Sequence, residues 1–202
     1  MTPTPVTPDP VTPDPGLLSP ISGRTMRPLV ETDIPALQTI DVEAHGQAWS
    51  HRMFLDEVEQ SNRVHLVAHT DAGVVGHAAA WLDASSCRIT NVAVAAQHHG
   101  HGHGTAMMLT LISQVLDTSR VANLQLEVRP ANRRAQRMYS RFGFVPVGVE
   151  RNFYDRSDDQ GSTDAVVMAV ADVCADSWRN RLAELQAAHD HTETDRGAGA
   201  AA

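Results

Sequence analysis

Too little cysteine, too little positive charge and no sufficiently long apolar run exclude several large protein classes for this chain. Its 202 residues contain two cysteines, Cys87 and Cys174. Two thiols outside any ligand spacing build neither a disulfide framework nor a structural zinc site. They read as reduced thiols, which points to a cytoplasmic chain. Sixteen Lys and Arg against twenty-four Asp and Glu leave a formal net charge of -8, with a pI near 5.7. No basic face is expected to hold nucleic acid through its phosphates, and a basic protein or peptide partner suits this surface better. The longest apolar stretch, residues 74–82, is interrupted by Gly76 and His77. No basic segment followed by an apolar run opens the sequence, so secretion and membrane insertion are not expected.

The 42% hydrophobic content supports one medium domain with tails. Residues 1–15 repeat Val-Thr-Pro-Asp-Pro, and so many missing backbone N–H groups forbid helix and sheet. Residues 1–24 therefore read as a solvated arm, either a ligand for a proline-binding module or a plain disordered extension. A domain over 25–170 follows, then an extension over 171–202 with a helix at 177–189 and a disordered tail from 190.

Within the domain both secondary-structure periods occur. Strands are expected at 26–29, 64–69, 74–82, 87–94, 121–128, 145–154 and 164–170, with a hairpin turn at Asp71-Ala72-Gly73. Asp33 is placed to cap a helix carrying Leu37, Ile40 and Ala44, and Ser50 to cap a second with Phe54, Leu55 and Val58. Met108, Leu111, Ile112 and Val115 form one stripe of a third helix, and residues 131–142 form a fourth. The sum is a mixed α/β sheet with helices packed on it.

Residues 97–108, QHHGHGHGTAMM, join a strand to the third helix. A helix N-terminus offers unpaired N–H groups and a positive dipole end, and glycines let a phosphate approach closely. No Gly-Lys-Ser/Thr follows, and Thr105 and Met107 stand where a dinucleotide loop needs its last glycine, so ATP and NAD are disfavoured. A pyrophosphate held by backbone amides, as in coenzyme A, is compatible. His99, His101 and His103 could converge on a metal, but no carboxylate or cysteine follows at ligand spacing. Solvated loop-tip imidazoles are the preferred reading. A third reading gives these histidines positive charge as pH falls, tightening coenzyme binding between pH 7.5 and about 6.

An ordered series of motifs then follows: Trp49-Ser50, NVAV at 91–94, the glycine loop, LEVR at 126–129, Asn132, Tyr139, Gly143-Phe144, RNFY at 151–154 and DAVVM at 164–168. Over residues 25–170 the chain resembles the GNAT N-acetyltransferases, and within them the RimI-type ribosomal-protein-alanine N-acetyltransferases. The resemblance implies a central, mostly antiparallel twisted sheet, split between its fourth and fifth strands and flanked by about four helices. It implies an acetyl-coenzyme A site at Val92, Ala93 and Val94, around the loop Gly100, His101, Gly102, His103, Gly104 and Thr105, and at Asn132. It makes Glu127 the general base and Tyr139 the general acid, with Trp49 and Tyr154 against the substrate, no metal, and the N-terminal alanine of ribosomal protein S18 as the acceptor. The chain departs from the family at His99, where Gln or Arg is usual, and at Thr105, where Arg is frequent, which implies weaker side-chain support for the phosphates.

The chemistry fits these residue types. An α-amine with a pKa of about 7.7–8.0 loses its proton to a carboxylate directly or through water, and a phenol can protonate a departing thiolate. Asn132 and Tyr139 lie two helical turns apart, on one face. Taken singly, each residue also has a plainer reading: Glu127 as a strand's solvated face, Tyr139 as a core aromatic, Asn132 as a helix cap. Neither cysteine lies in a motif position, which favours direct transfer over an acyl-enzyme. The peptide is expected between residues 45–50 and 155–163, where Asp155, Asp158 and Asp159 could receive a basic N-terminal segment. Alternatives are acetylation of other protein N-termini, lysines or small amines, and a non-enzymatic acetyl-coenzyme A or metal-binding protein on the same fold.

Overall fold

A computed structural model describes residues 25–154 and 163–200, with side chains excepted at 193 and 195–200. The proline arm and the loop aspartates Asp155, Asp158 and Asp159 lie outside the described residues. Among the described residues seven strands form one sheet: β1 (Thr25–Pro28), β2 (Arg63–Thr70), β3 (Gly73–Asp83), β4 (Ser86–Val94), β5 (Asn123–Val128), β6 (Val145–Glu150) and β7 (Ala165–Val170). Their order is β1-β2-β3-β4-β5-β7-β6. All neighbours are antiparallel except β4 and β5.

Four α-helices accompany the sheet among the described residues, α1 (Ile34–His45), α2 (His51–Glu59), α3 (His103–Thr118) and α4 (Arg133–Arg141), and a fifth, α5 (Asp176–Ala200), forms the C-terminal extension. The sheet alternates sides as its pleat requires. Leu66, Ala78, Ile89, Leu124 and Leu126 enter the main core with Met107, Met108, Leu111 and Ile112 of α3. On the other side Val67 packs with Ile34, Leu37 and Phe54 of α1 and α2, and Ala93 packs with Ile40.

Several boundaries differ from the sequence reading for local physical reasons. Asp33 precedes α1 but makes no capping hydrogen bond. Its carboxylate instead accepts from the two terminal guanidinium nitrogens of Arg27, at 2.7 and 2.8 Å, and from the Val30 N–H at 3.1 Å. Ser50 does cap α2, accepting from the Met53 N–H at 3.2 Å. The hairpin turn before β3 forms as expected, with Gly73 at φ 104°. The segment at 145–154 leaves the sheet after Glu150, and Asn152 turns at φ 54°. The tail expected to lose structure at 190 continues the helix to Ala200. There Thr192 and Thr194 return their hydroxyls to the carbonyls of Ala188 and Asp190 at 2.9 Å, so they do not compete with the helical backbone.

Two features open the sheet at its centre. The parallel ladder of β4 and β5 runs from Ser86–Asn123 only to Ile89–Leu126. At that level β4 carries a bulge: Ala80 faces Ile89, but Ala79 faces Asn91, leaving Thr90 as the extra residue. A bulge bends its strand and raises the local twist. Beyond it β4 follows β3 alone, so its other edge parts from β5.

Candidate active site

The parted strands border a cavity of about 790 Å³ lined by residues of both sheet faces. Among the residues singled out from sequence, Glu127, Tyr139, Asn132, Val92, Trp49 and Tyr154 line it together. Ala93, Val94 and the loop from Gly100 to Thr105 are not in its wall. Ala93 is buried beneath α1, and the Val94 carbonyl is hydrogen-bonded to His99 Nε2 at 2.8 Å.

Glu127 follows from strand alternation: Leu124, Leu126 and Val128 enter the core, so Glu127 projects from the opposite face. Its carboxylate is only 4% exposed and accepts from Arg88 Nε at 2.8 Å. Its other oxygen accepts from Gln125 Nε2 at 2.9 Å. Two donors leave lone pairs on both oxygens for a water or an amine.

Tyr139 comes from the other side. Its ring is buried in the main core, tilted 6.1 Å from Phe144. Burial, helped by nearby Tyr154, pushes its hydroxyl well above the ordinary phenol range. Asn132 caps α4, accepting from the Ala135 N–H at 3.0 Å, so the plainer reading of this residue holds while it also lines the cavity. The end of α4 is fastened from outside: Trp178 of α5 donates its indole N–H to the Phe142 carbonyl at 2.8 Å. At the rim Arg129 lies 3.8 Å over the Tyr154 ring. Burial raises the Tyr154 phenol, Arg129 opposing and Glu127 adding to the shift.

The glycine loop enters α3 through two left-handed glycines. Gly100 and Gly102 adopt φ of 84° and 81°, values that L side chains disfavour, and Gly102 is the N-cap residue of α3. Gly104 faces Met138 of α4, whose Sδ would lie 3.2 Å from an added Cβ. The helix thus starts close to the cavity's α4 wall with its first N–H groups directed out of its own end. A long thin carrier with an anionic head and an extended tail fits this layout: the head at the α3 terminus, the tail along the free edge of β4. Among the described residues no group of three or more His, Cys, Asp or Glu is placed to hold a metal ion.

Sequence reasoning missed a second polar assembly. Asp41, fully buried, accepts from His77 Nε2 and Asn91 Nδ2, both at 3.0 Å, and from the Trp49 N–H at 3.4 Å. His77 continues to His65 at 3.0 Å, and Asn91 to His45 at 2.9 Å. Burial raises the Asp41 carboxyl, but His77, His45 and Asn91 outweigh it and hold the group below its usual range. Two signals could have found this cluster. Asp41 sits one turn after Leu37 on the apolar stripe of α1, and His77 interrupts an apolar strand. Arg88 was missed as well, although it lies in register with Gln125, Glu127's hydrogen-bond partner.

The acetyltransferase (GNAT) family model matches residues 34–144. The [ribosomal protein bS18]-alanine N-acetyltransferase of Escherichia coli K12 is 32% identical over 147 residues, 72% of this chain and 96% of that one. The Salmonella typhimurium protein of the same name is 30% identical over 146 residues, with the same coverage of both chains. A crystal structure of the ribosomal-protein-S18-alanine N-acetyltransferase from Escherichia coli superposes with a TM-score of 0.65 at 27% identity, covering 76% of this chain and 97% of that one.

Proposed function

Since the chain belongs to the GNAT acetyltransferase family and is an acetyl-coenzyme A-dependent N-acetyltransferase, we propose that it acetylates the α-amine of a protein N-terminus, foremost the N-terminal alanine of ribosomal protein S18. One observation carries the site assignment: Glu127 and Tyr139, from opposite faces of the sheet, line one cavity at the point where β4 and β5 part. The names of the relatives at 32% and 30% identity support the substrate.

Bound acetyl-coenzyme A supplies a thioester whose acyl carbon accepts the amine. Gly100, His101, Gly102, His103, Gly104 and Thr105 hold its diphosphate through backbone N–H groups at the head of α3, and the edge of Val92, Ala93 and Val94 holds its arm. Asn132 closes the site from α4. Glu127 accepts the amine proton, directly or through a water, on lone pairs that Arg88 and Gln125 leave free. Tyr139 Oη holds the proton that the leaving sulfur takes. Its raised pKa keeps it protonated at neutral pH, and the same desolvation makes a thiolate more basic. Transfer is direct, since Cys87 is buried and Cys174 exposed, and neither lines the cavity. Trp49 and Tyr154 flank the peptide, which enters beside residues 45–50.

The test compares acetylation of an S18 N-terminal peptide with a lysine peptide and a polyamine, by mass spectrometry. The S18 peptide should have the highest kcat/KM, and Glu127→Gln and Tyr139→Phe should each lower it by about 100-fold or more. Equal rates on the polyamine would refute the substrate, and full activity in both variants would refute the site.

A further inference from the structure

We propose that His45 is a second proton acceptor of this site, held with its basic nitrogen at Nδ1 by Asn91 and Asp41. The inference rests on the acetyl-transfer reading above.

The direction of each hydrogen bond follows from Asp41. An ionised carboxylate only accepts, so the Asn91 atom 3.0 Å from Asp41 Oδ1 is the donor Nδ2. That turns Asn91 Oδ1 toward His45, 2.9 Å from its Nε2. An amide oxygen also only accepts, so Nε2 carries the hydrogen. In the neutral ring the lone pair is then on Nδ1. The lock is rigid because Asp41 is fully buried and fixed independently by His77 and the Trp49 N–H.

Location gives this tautomer a use. His45 ends α1 and lines the same cavity as Glu127, Arg88, Arg129 and Tyr154, and its side chain is 41% exposed. Glu127, at 4% exposure and with Arg88 at 2.8 Å, can take a proton but has little contact with water through which to lose it. His45 has that contact. The substrate ammonium gives one proton to His45 Nδ1: the N–H bond breaks, its electron pair stays on the amine nitrogen, and an N–H bond forms on the ring. The imidazolium, 3.9 Å from Asp41 Oδ1, then releases the proton to water and returns to the Nε2–H form. Asn91 and Asp41 are positioning residues in this scheme.

Three measurements on the full chain test it. In ¹⁵N spectra of the wild type, the histidine signals missing from His45→Gln should report an Nε2–H tautomer, and Asn91→Leu should abolish that preference. His45→Gln keeps a donor for Asn91 but accepts no proton, so kcat on the S18 peptide should fall about 100-fold, with the KM for acetyl-coenzyme A within about twofold. His45→Ala should lose activity similarly and recover it with added imidazole. An Nδ1–H tautomer in the wild type, a kcat for His45→Gln within twofold of wild type, or absence of imidazole rescue overturns the inference while leaving the acetyl-transfer reading intact. A wild-type chain that acetylates no amine overturns both.

Discussion

Replacing Asp41 by alanine should cost more stability than removing the Ser50 cap or the Trp178 indole donor, because one side chain there serves several buried partners. The carboxylate is fully buried and gathers donors from three places: His77 of β3, Asn91 of β4 and the Trp49 N–H after α1. Alanine leaves three donors without this acceptor, each worth roughly 1–3 kcal/mol. Part of that is offset because a charge no longer has to be desolvated. Removing one partner of a buried charged group costs about 3–5 kcal/mol net, against a total stability of roughly 5–15 kcal/mol. For a domain of this size that corresponds to a fall in Tm of about 6–20 °C. Asp41→Asn keeps one acceptor oxygen and should fall between. Urea unfolding followed by tryptophan fluorescence is the natural assay, since Trp49 sits on the cluster. A midpoint for Asp41→Ala that shifts by less than about 0.5 kcal/mol in free energy, with unchanged slope, would refute the reasoning.

Burial holds the imidazoles of His65 and His69 below their ordinary range, assisted by the charges of His77 and Arg27 respectively. Below about pH 6.5 the unfolded chain therefore binds more protons, and stability should fall as pH drops from 7.5 to 5.5; a Tm that rises over this interval would contradict it. Gly76→Ala would put a Cβ 2.6 Å from the Ala93 carbonyl oxygen, whereas one at Gly148 meets nothing within 4 Å. The first should lose about 1–3 kcal/mol and the second almost nothing by denaturant titration. Trp178→Phe removes the donor to the Phe142 carbonyl and should cost about 1–3 kcal/mol, with a lower kcat because Phe142 ends the helix that carries Tyr139.

All seven strands and the first four helices were legible because their apolar residues recur at clear periods, Met108, Leu111, Ile112 and Val115 being the plainest case. The Glu127–Tyr139 pairing was legible only through the resemblance, since alternation alone gives Glu127 no more than a side of a strand. The Asp41 cluster was not, because its members are far apart along the chain: residues 41, 45, 77 and 91 meet only when α1 is laid across β3 and β4. Nor was the bulge at Thr90, which leaves no mark in composition. The helical tail escaped notice because its sequence lacks an apolar period, and Thr192 and Thr194 bond to carbonyls of their own helix instead.

The bulge at Thr90 acts as a phase shifter within a single strand. Before it, β4 presents Cys87 and Ile89 to the α3 side and zips to β5; after it, Asn91 and Ala93 face α1 and the zip is undone. One residue of slack thus decouples two jobs that an unbroken strand would have to share, closing the sheet below and keeping a slot ajar above. A version of this chain shortened by that one residue would have every reason to fold and far less room in which to work.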